Sequence, residues 1–87
     1  MNKVLMYSTR FCPFCMMARR LLDAKGVQYE EIPVDGDADM RRKMQEVSGR
    51  HTVPQVFVGE RHVGGFDDLA EAERSGQLDH WLQSDNQ

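Results

Sequence analysis

The sequence predicts an α/β fold in which a four-stranded mixed β-sheet is flanked by helices, in the order βαβαββαα. Three observations support this prediction: an apolar run near the start, later stretches with apolar residues at helical spacing, and two short strands joined by a tight turn. The alternation of strand and helix in the first half predicts parallel strands with a right-handed crossover. The two later strands would add antiparallel pairing.

The first strand and the first helix have the clearest patterns. Lys3 to Tyr7 is a nearly continuous apolar run, which is typical of a strand buried on both faces. Apolar residues then recur at helical spacing: Phe14, Met17, Ala18, Leu21 and Leu22. Gly26 follows where a left-handed helix cap is expected, so the helix should end there.

The middle of the chain predicts an edge strand and a second helix. Gln28 to Val34 is assigned to a sheet edge because Pro33 has no N–H to donate to a neighbouring strand. Asp37 is suited to cap the second helix, which should end near Gly49. The apolar face of this helix consists of Met40, Met44 and Val47, and its methionines are interpreted as core residues.

The last third predicts a hairpin and two helices. Strands Gln55–Val58 and Arg61–Val63 should be joined through Gly59 and Glu60. Asp67 is predicted to cap a third helix that reaches about Gly76. A final short helix is indicated by Leu78, Trp81 and Leu82, and residues 84–87 are expected to form a frayed tail.

Length, charge and hydropathy limit the class of protein. The 87 residues predict one domain, residues 1–87, with a single core. A net charge of −3 with both signs mixed along the chain does not fit the clustered basic surface that nucleic acids require. No apolar run is long enough to span a membrane, and Arg10 precedes any signal-peptide core. We therefore expect a cytoplasmic protein with neither nucleic acid nor membrane as partner.

Both cysteines lie in one short segment, FCPFC, residues 11–15. In a reducing compartment such a pair is more often catalytic or metal-binding than a structural disulfide. Cys12 follows the first strand and precedes Pro13, which suits a first helical turn, so Cys12 should be the helix N-cap. Unpaired N–H groups and the helix dipole favour a thiolate there, which makes Cys12 the candidate nucleophile. Cys15, one turn later and less exposed, is the candidate resolving thiol.

Two other interpretations of the cysteine pair are open. A structural zinc site needs four ligands, and the three histidines, His51, His62 and His80, lack paired spacing. Two inert core cysteines are the other possibility, although a proline between them at a strand-to-helix junction is a specific placement. We predict no metal, and we interpret the histidines as surface residues. Arg19 and Arg20 are assigned to the solvated face of the first helix.

Three segments together resemble a known family. YSTRFCPFC (residues 7–15), TVPQVF (residues 52–57) and GGFDD (residues 64–68) occur in the order found in glutaredoxins, especially the small bacterial dithiol kind. The resemblance covers nearly the whole chain and implies a thioredoxin-like fold. It implies glutathione-dependent reduction of protein disulfides and of glutathione mixed disulfides. Glutathione would be a co-substrate, no cofactor would be bound, and the partners of a monomeric protein would be disulfide-containing or glutathionylated proteins.

The resemblance also implies residue roles. Cys12 would attack and Cys15 would resolve, beside a cis peptide bond at Pro54. Phe66 and Asp67 would hold the γ-glutamyl end of glutathione, while the backbone of Val53 would pair with its cysteine. The full set of residues expected to bind glutathione is Arg10, Phe14, Arg50, Thr52, Val53, Pro54, Gly65, Phe66 and Asp67.

Two positions depart from the family pattern: Phe14 replaces a common tyrosine and keeps its ring, and the other is Thr9. Many relatives have lysine where this chain has Thr9, so the contact with the glycine carboxylate would move to Arg10 or Arg50, or be absent. Two further functions stay open. One is a redoxin reduced by thioredoxin reductase, and the other is a carrier in which Cys12 of two subunits and two glutathiones hold a [2Fe–2S] cluster. The carrier ranks lower because the relatives best known for that role have the monothiol sequence CGFS.

Overall fold

The structure is a computed structural model, and it describes residues 2–83. Its elements follow the predicted order: β1 (Val4–Ser8), α1 (Pro13–Ala24), β2 (Tyr29–Pro33), α2 (Ala38–Ser48), β3 (Gln55–Val58), β4 (Arg61–Gly64), α3 (Phe66–Ser75) and α4 (Gln77–Gln83). The predicted element order is therefore confirmed. The predicted frayed tail, residues 84–87, lies outside the described residues.

The four strands form one mixed sheet in the order β2-β1-β3-β4. β1 pairs in parallel with β2 and antiparallel with β3, and β3 pairs antiparallel with β4. β2 is an edge strand, as the missing N–H of Pro33 predicts. With helices packed against the sheet, this arrangement is the predicted thioredoxin-like fold.

Side chains along β1 alternate between the two faces of the sheet, and those on each face are apolar. Val4 and Met6 contribute to one core cluster, which also includes Leu22 of α1 and residues of α3 and α4. On the other face Tyr7 packs in a second cluster with Met44 of α2. Burial of one such aliphatic side chain stabilises the fold by about 1.5–3 kcal/mol. Helices on both faces therefore account for the continuous apolar run of β1.

The second helix buries less of its apolar face than predicted. Met44 is fully buried, but Met40 and Val47 are 36% and 42% exposed. The interpretation of both methionines as core residues is therefore wrong for Met40. The N-cap prediction is confirmed, since the Asp37 carboxylate accepts a hydrogen bond from the Met40 N–H at 3.0 Å.

The third helix begins two residues earlier than the predicted cap. Its N-cap is Gly65, and the Asp68 carboxylate accepts a hydrogen bond from the Gly65 N–H at 3.0 Å. This backward contact from the third helical position lets a glycine without a capping side chain start the helix. The prediction that Asp67 is the N-cap is therefore wrong. Gly64 is required here, because its φ is +122° and a Cβ would overlap the Asp68 side chain.

Candidate active site

The sulfur of Cys12 lies at the N-terminus of α1. Cys12 is the N-cap in extended conformation, and Pro13 occupies the first helical position, as predicted. The Cys12 Sγ accepts a hydrogen bond from the Cys15 N–H at 3.1 Å and donates one to the Val53 carbonyl oxygen at 3.7 Å. Both cysteines are free thiols. The sulfur is therefore held between the start of α1 and the segment before Pro54.

Cys15 is the less accessible of the two cysteines. Cys12 is 8% exposed and Cys15 is fully buried. Burial first, and then a hydrogen bond with Cys12, raise the pKa of Cys15 to about 12. Cys15 is therefore a protonated thiol at neutral pH, and an incoming disulfide meets Cys12 first.

The segment before β3 brings a backbone edge to the thiols. The Val53–Pro54 peptide bond is cis, as the resemblance predicts. Buried Gln55 is hydrogen-bonded to this segment: its Nε2 donates to the Thr52 carbonyl at 3.1 Å and to the Thr52 Oγ1 at 3.2 Å. The Gln55 Oε1 lies 2.6 Å from the Nε2 of His62. Because Gln55 uses its amide as donor toward Thr52, its oxygen is the acceptor and His62 Nε2 carries the proton.

His62 is therefore not the surface histidine that the sequence suggested. Its ring packs on Phe57 with 4.9 Å between centroids, and burial, with the nearby Arg50 charge, lowers the pKa of His62. The other two histidines, His51 and His80, are exposed as predicted. The β3–β4 pairing places His62 opposite Phe57, and no feature of the local sequence indicates that.

A cavity of about 330 Å³ opens beside this segment. It is lined by Phe14, Arg50, Thr52, Val53, Pro54, Gly65, Phe66, Asp67 and Asp68. Eight of the nine residues expected to bind glutathione are in this set, and Asp68 is an addition. A capping-box pattern, in which an acidic residue follows the cap by three positions, is the sequence signal that could have identified Asp68.

The cavity combines aromatic walls with charged groups. The rings of Phe14 and Phe66 stack with 6.4 Å between centroids. Arg50 Nη1 lies 2.9 Å from Asp68 Oδ2, and this hydrogen bond holds the pKa of Asp68 below its ordinary value. Asp67 is exposed, and its carboxylate has no ion pair or hydrogen bond within residues 2–83. A ligand therefore meets one guanidinium, one free carboxylate and the N-terminus of α3.

Arg10 lies apart from the other expected residues. Its Nε is 3.0 Å from Asp35 Oδ2, and its guanidinium lies 5.8 Å from the centre of the Phe11 ring. It does not line the cavity. Of the two arginines considered in place of the lysine, the structure brings only Arg50 to the cavity.

A charged cluster that the sequence did not indicate lies around Arg19, one helical turn after Cys15. Arg19 contacts Glu31 Oε2 through its Nε at 2.8 Å and its Nη2 at 2.5 Å. Arg19 Nη2 also donates to the Thr9 carbonyl at 3.3 Å, and Ser8 Oγ donates to Glu31 Oε2 at 2.5 Å. Arg20 is exposed as predicted, but the assignment of Arg19 to the solvated face is wrong. The available signal was the spacing, since Arg19 is four residues after Cys15 and so shares its helix face.

We expect Glu31 to make the fold sensitive to acid. Hydrogen bonds from Arg19 and Ser8 lower the pKa of Glu31 below its ordinary value. This stabilisation is complete above the unfolded-state pKa and is lost as pH falls through the lower folded-state pKa. Glu31→Gln should therefore be less stable than the parent at neutral pH, and the difference should shrink in acid. Urea unfolding across a pH series measures it.

Glu30→Gln is the matched control for this experiment, because Glu30 is the exposed neighbour on the same strand. Its stability should follow that of the parent across the series. A Glu31→Gln difference that stays constant from neutral to acidic pH would contradict the assignment.

The described residues hold neither a cluster of metal-binding side chains nor a helix that could span a membrane. Between residues 2 and 83, no group of three or more histidine, cysteine, aspartate and glutamate side chains could hold a metal ion. In the same part of the chain, no helix combines the length and hydropathy needed to cross a membrane.

Comparison with known proteins gave consistent matches. A family model described as Glutaredoxin matches residues 4–63. The chain is 45% identical over 84 residues to a glutaredoxin of Pseudomonas aeruginosa, covering 97% of the chain and 100% of the relative. It is 45% identical over 83 residues to glutaredoxin 3 of Escherichia coli K12, covering 95% of the chain and 100% of the relative.

Solved structures with the same fold include two glutaredoxins. The solution structure of glutaredoxin from Brucella melitensis has a TM-score of 0.84 at 44% identity, covering 95% of the chain and 90% of that structure. A crystal structure of a buckwheat glutaredoxin–glutathione complex has a TM-score of 0.84 at 32% identity, covering 93% of the chain and 76% of that structure.

Proposed function

Because this chain belongs to the glutaredoxin family of thiol–disulfide oxidoreductases, we propose that it uses glutathione to reduce protein disulfides and glutathione mixed disulfides. One observation carries the glutathione part of the proposal. The reduced Cys12–Cys15 pair lies beside a cavity lined by eight of the nine residues expected to bind this tripeptide. We place the activity in the cytoplasm, where the dithiol would stay reduced, and we propose no resident metal or cofactor.

The reaction uses the two thiols in sequence. The Cys12 thiolate attacks one sulfur of the substrate disulfide, forms a mixed disulfide and releases the other sulfur as a thiolate, which takes up a proton. For a protein disulfide, Cys15 then attacks the Cys12 sulfur, giving the Cys12–Cys15 disulfide and the second substrate thiol. Two glutathiones restore the dithiol and leave as glutathione disulfide. For a glutathionylated protein, a second glutathione can attack the Cys12 mixed disulfide directly.

The cavity offers partners for each polar end of glutathione. A free carboxylate at Asp67 suits the α-ammonium of the γ-glutamyl group, and the N-terminus of α3 suits its carboxylate. Arg50 would take the glycine carboxylate and would then share its charge between that group and Asp68. Val53 lies against the Cys12 sulfur, and its backbone would pair with the cysteine of glutathione. A buckwheat relative was crystallised with glutathione, which supports glutathione as the ligand.

A coupled assay tests the proposal. A small glutathione mixed disulfide is offered with glutathione, glutathione reductase and NADPH, and NADPH oxidation is followed. We expect turnover that depends on glutathione concentration. Turnover driven by thioredoxin reductase without glutathione would favour the redoxin alternative. A coloured, dimeric anaerobic preparation without turnover would favour the cluster carrier.

We expect Asp67→Ala to weaken glutathione use far more than folding. Loss of a hydrogen-bonded charge partner for the ligand costs about 1.5–3 kcal/mol, so KM for the glutathione substrate should rise roughly tenfold or more. The same carboxylate contributes only about 0.3–1 kcal/mol to the helix through the dipole. Steady-state kinetics and thermal unfolding of the same preparation measure the two effects.

Asp39→Ala is the matched control, because Asp39 occupies the second position of α2 as Asp67 does in α3. It should give a similar small loss of stability with unchanged KM. Equal KM for Asp67→Ala and the parent would reduce Asp67 to a residue that only stabilises its helix.

A further inference from the structure

The resolving step of the proposed function sets a requirement that Cys15 does not meet by itself. To attack the mixed disulfide on Cys12, Cys15 has to lose its proton, because the thiolate is the nucleophile. Its side chain is fully buried, and burial opposes that ionisation. Other groups around Cys15 therefore have to favour the charged form.

The electrostatic surroundings of Cys15 change when Cys12 forms a mixed disulfide. In the free dithiol, the hydrogen bond with Cys12 and the charge of Cys12 both oppose ionisation of Cys15. In the mixed disulfide Cys12 carries no charge, so both effects disappear. A backbone hydrogen bond from Thr9 and the positive charge of Arg19 then remain, and each lowers the pKa of Cys15.

Arg19 is fixed in place by three contacts. Two of its nitrogens contact Glu31 Oε2, at 2.8 Å and 2.5 Å, and Nη2 reaches the Thr9 carbonyl at 3.3 Å. Its side chain is 25% exposed. Because Arg19 is four residues after Cys15, its charge lies on the same face of α1 as the resolving sulfur. Through its contact with the carbonyl of Thr9, Arg19 also fixes the residue whose backbone bonds to Cys15.

We propose that Arg19 is a positioning residue for the resolving step, which holds the Thr9 backbone and a fixed positive charge beside Cys15 while its thiolate forms. The proposal rests on the function proposed above. The Cys15 proton passes to solvent, the thiolate attacks the Cys12 Sγ, and the Cys12–Cys15 disulfide forms as the mixed disulfide breaks. The substrate thiolate leaves and takes up a proton. No other oxidant or reductant is consumed.

The expected size of the effect follows from two opposing trends. Each unit by which the pKa of Cys15 rises reduces its thiolate fraction about tenfold. The more basic thiolate is about threefold more nucleophilic, because the Brønsted coefficient for thiol–disulfide exchange is about 0.4–0.5. Removal of the Arg19 charge should therefore slow resolution by about threefold for each unit by which the pKa of Cys15 rises.

Removal of the positive charge of Arg19 and removal of the negative charge of Glu31 should change the rate of resolution differently. Arg19→Met removes the positive charge and should slow resolution. Glu31→Gln removes the negative charge that neutralises Arg19 and keeps an oxygen for Ser8, so resolution should be unchanged or faster. Arg19→Lys keeps the charge and should retain most of the rate. Tyr29, the other titratable group acting on Arg19, and Cys12 are unaltered in every variant.

The experiment measures a single turnover. Each reduced variant is mixed with glutathione disulfide, and the glutathione released when Cys15 closes onto Cys12 is followed by rapid quenching at neutral pH. Unfolding by urea is measured in parallel. The same substitution in a Cys15→Ser background is the control, because deglutathionylation there needs no resolving thiol and should not respond to Arg19→Met.

A slowed Arg19→Met beside a Glu31→Gln that resolves as fast as the parent or faster supports the proposal, because a merely structural ion pair predicts the same loss from both. Equal slowing by the two variants, or an Arg19→Met rate equal to that of the parent, would overturn it. If the proposed function is wrong, the parent protein will show no glutathione-driven turnover in the coupled assay. The single-turnover release needs only the mixed disulfide and still tests Arg19 in that case.

Discussion

Cys12→Ser should abolish both the reduction of protein disulfides and the removal of glutathione from mixed disulfides. Cys12 is the less buried of the two cysteines, at the N-terminus of α1 and beside the cavity. A serine hydroxyl is not ionised at neutral pH and forms no disulfide, so the first covalent intermediate is lost in both reactions. We expect no activity above the uncatalysed rate in the coupled assay with either substrate.

Folding of Cys12→Ser has to be measured alongside, because this residue is also a helix N-cap. Serine is a favoured cap and can accept the hydrogen bond from the Cys15 N–H, so the thermal unfolding temperature should change little. Substantial activity with either substrate in a folded Cys12→Ser protein would remove the assignment of Cys12 as the nucleophile.

Cys15→Ser should separate the two reactions. A second glutathione can resolve the Cys12 mixed disulfide from solution, so deglutathionylation should be kept. Reduction of a protein disulfide needs the internal thiol and should fall to a small residual rate. Both rates are measured on the same preparation, one with a glutathionylated peptide and one with a protein that contains a single disulfide.

If both cysteines had the same role, as inert core residues or as metal ligands, the two serine variants should behave alike. Two inert core cysteines would tolerate serine at either position with a modest loss of stability. A pair of metal ligands would lose its metal, and with it stability, from either substitution. If Cys15→Ser were as inactive as Cys12→Ser in deglutathionylation, the assigned roles would be wrong.

The sequence determined the features that depend on neighbours along the chain. The apolar run of β1, the helix α1 and the caps at Asp37 and Gly49 follow from local patterns, and the structure has each of them, although Phe14 and Met17 of the predicted stripe of α1 are exposed. Cys12 at the N-terminus of α1 follows in the same way from its place before Pro13. The order of the three family segments indicated that most of the cavity residues would come together.

The sequence predicted helix starts less well, because a helix can also be capped by a later residue whose side chain bonds back to the cap. Asp67 has a favoured capping side chain, yet α3 begins at Gly65 since Asp68 reaches back to its N–H. Apolar periodicity likewise indicated which face of α2 turns inward, but only Met44 on that face is fully buried.

Only the tertiary structure decided which charged and polar groups meet. Arg19 pairs with Glu31 because β2 lies in parallel beside β1, and His62 reaches Gln55 because β4 pairs with β3. Arg50 is in the cavity opposite Asp68, whereas Arg10 is held by Asp35. Long flexible side chains have several partners within reach, so their contacts depend on strand register and helix placement. Local periodicity specifies the face of an element, and packing between elements decides what that face contacts.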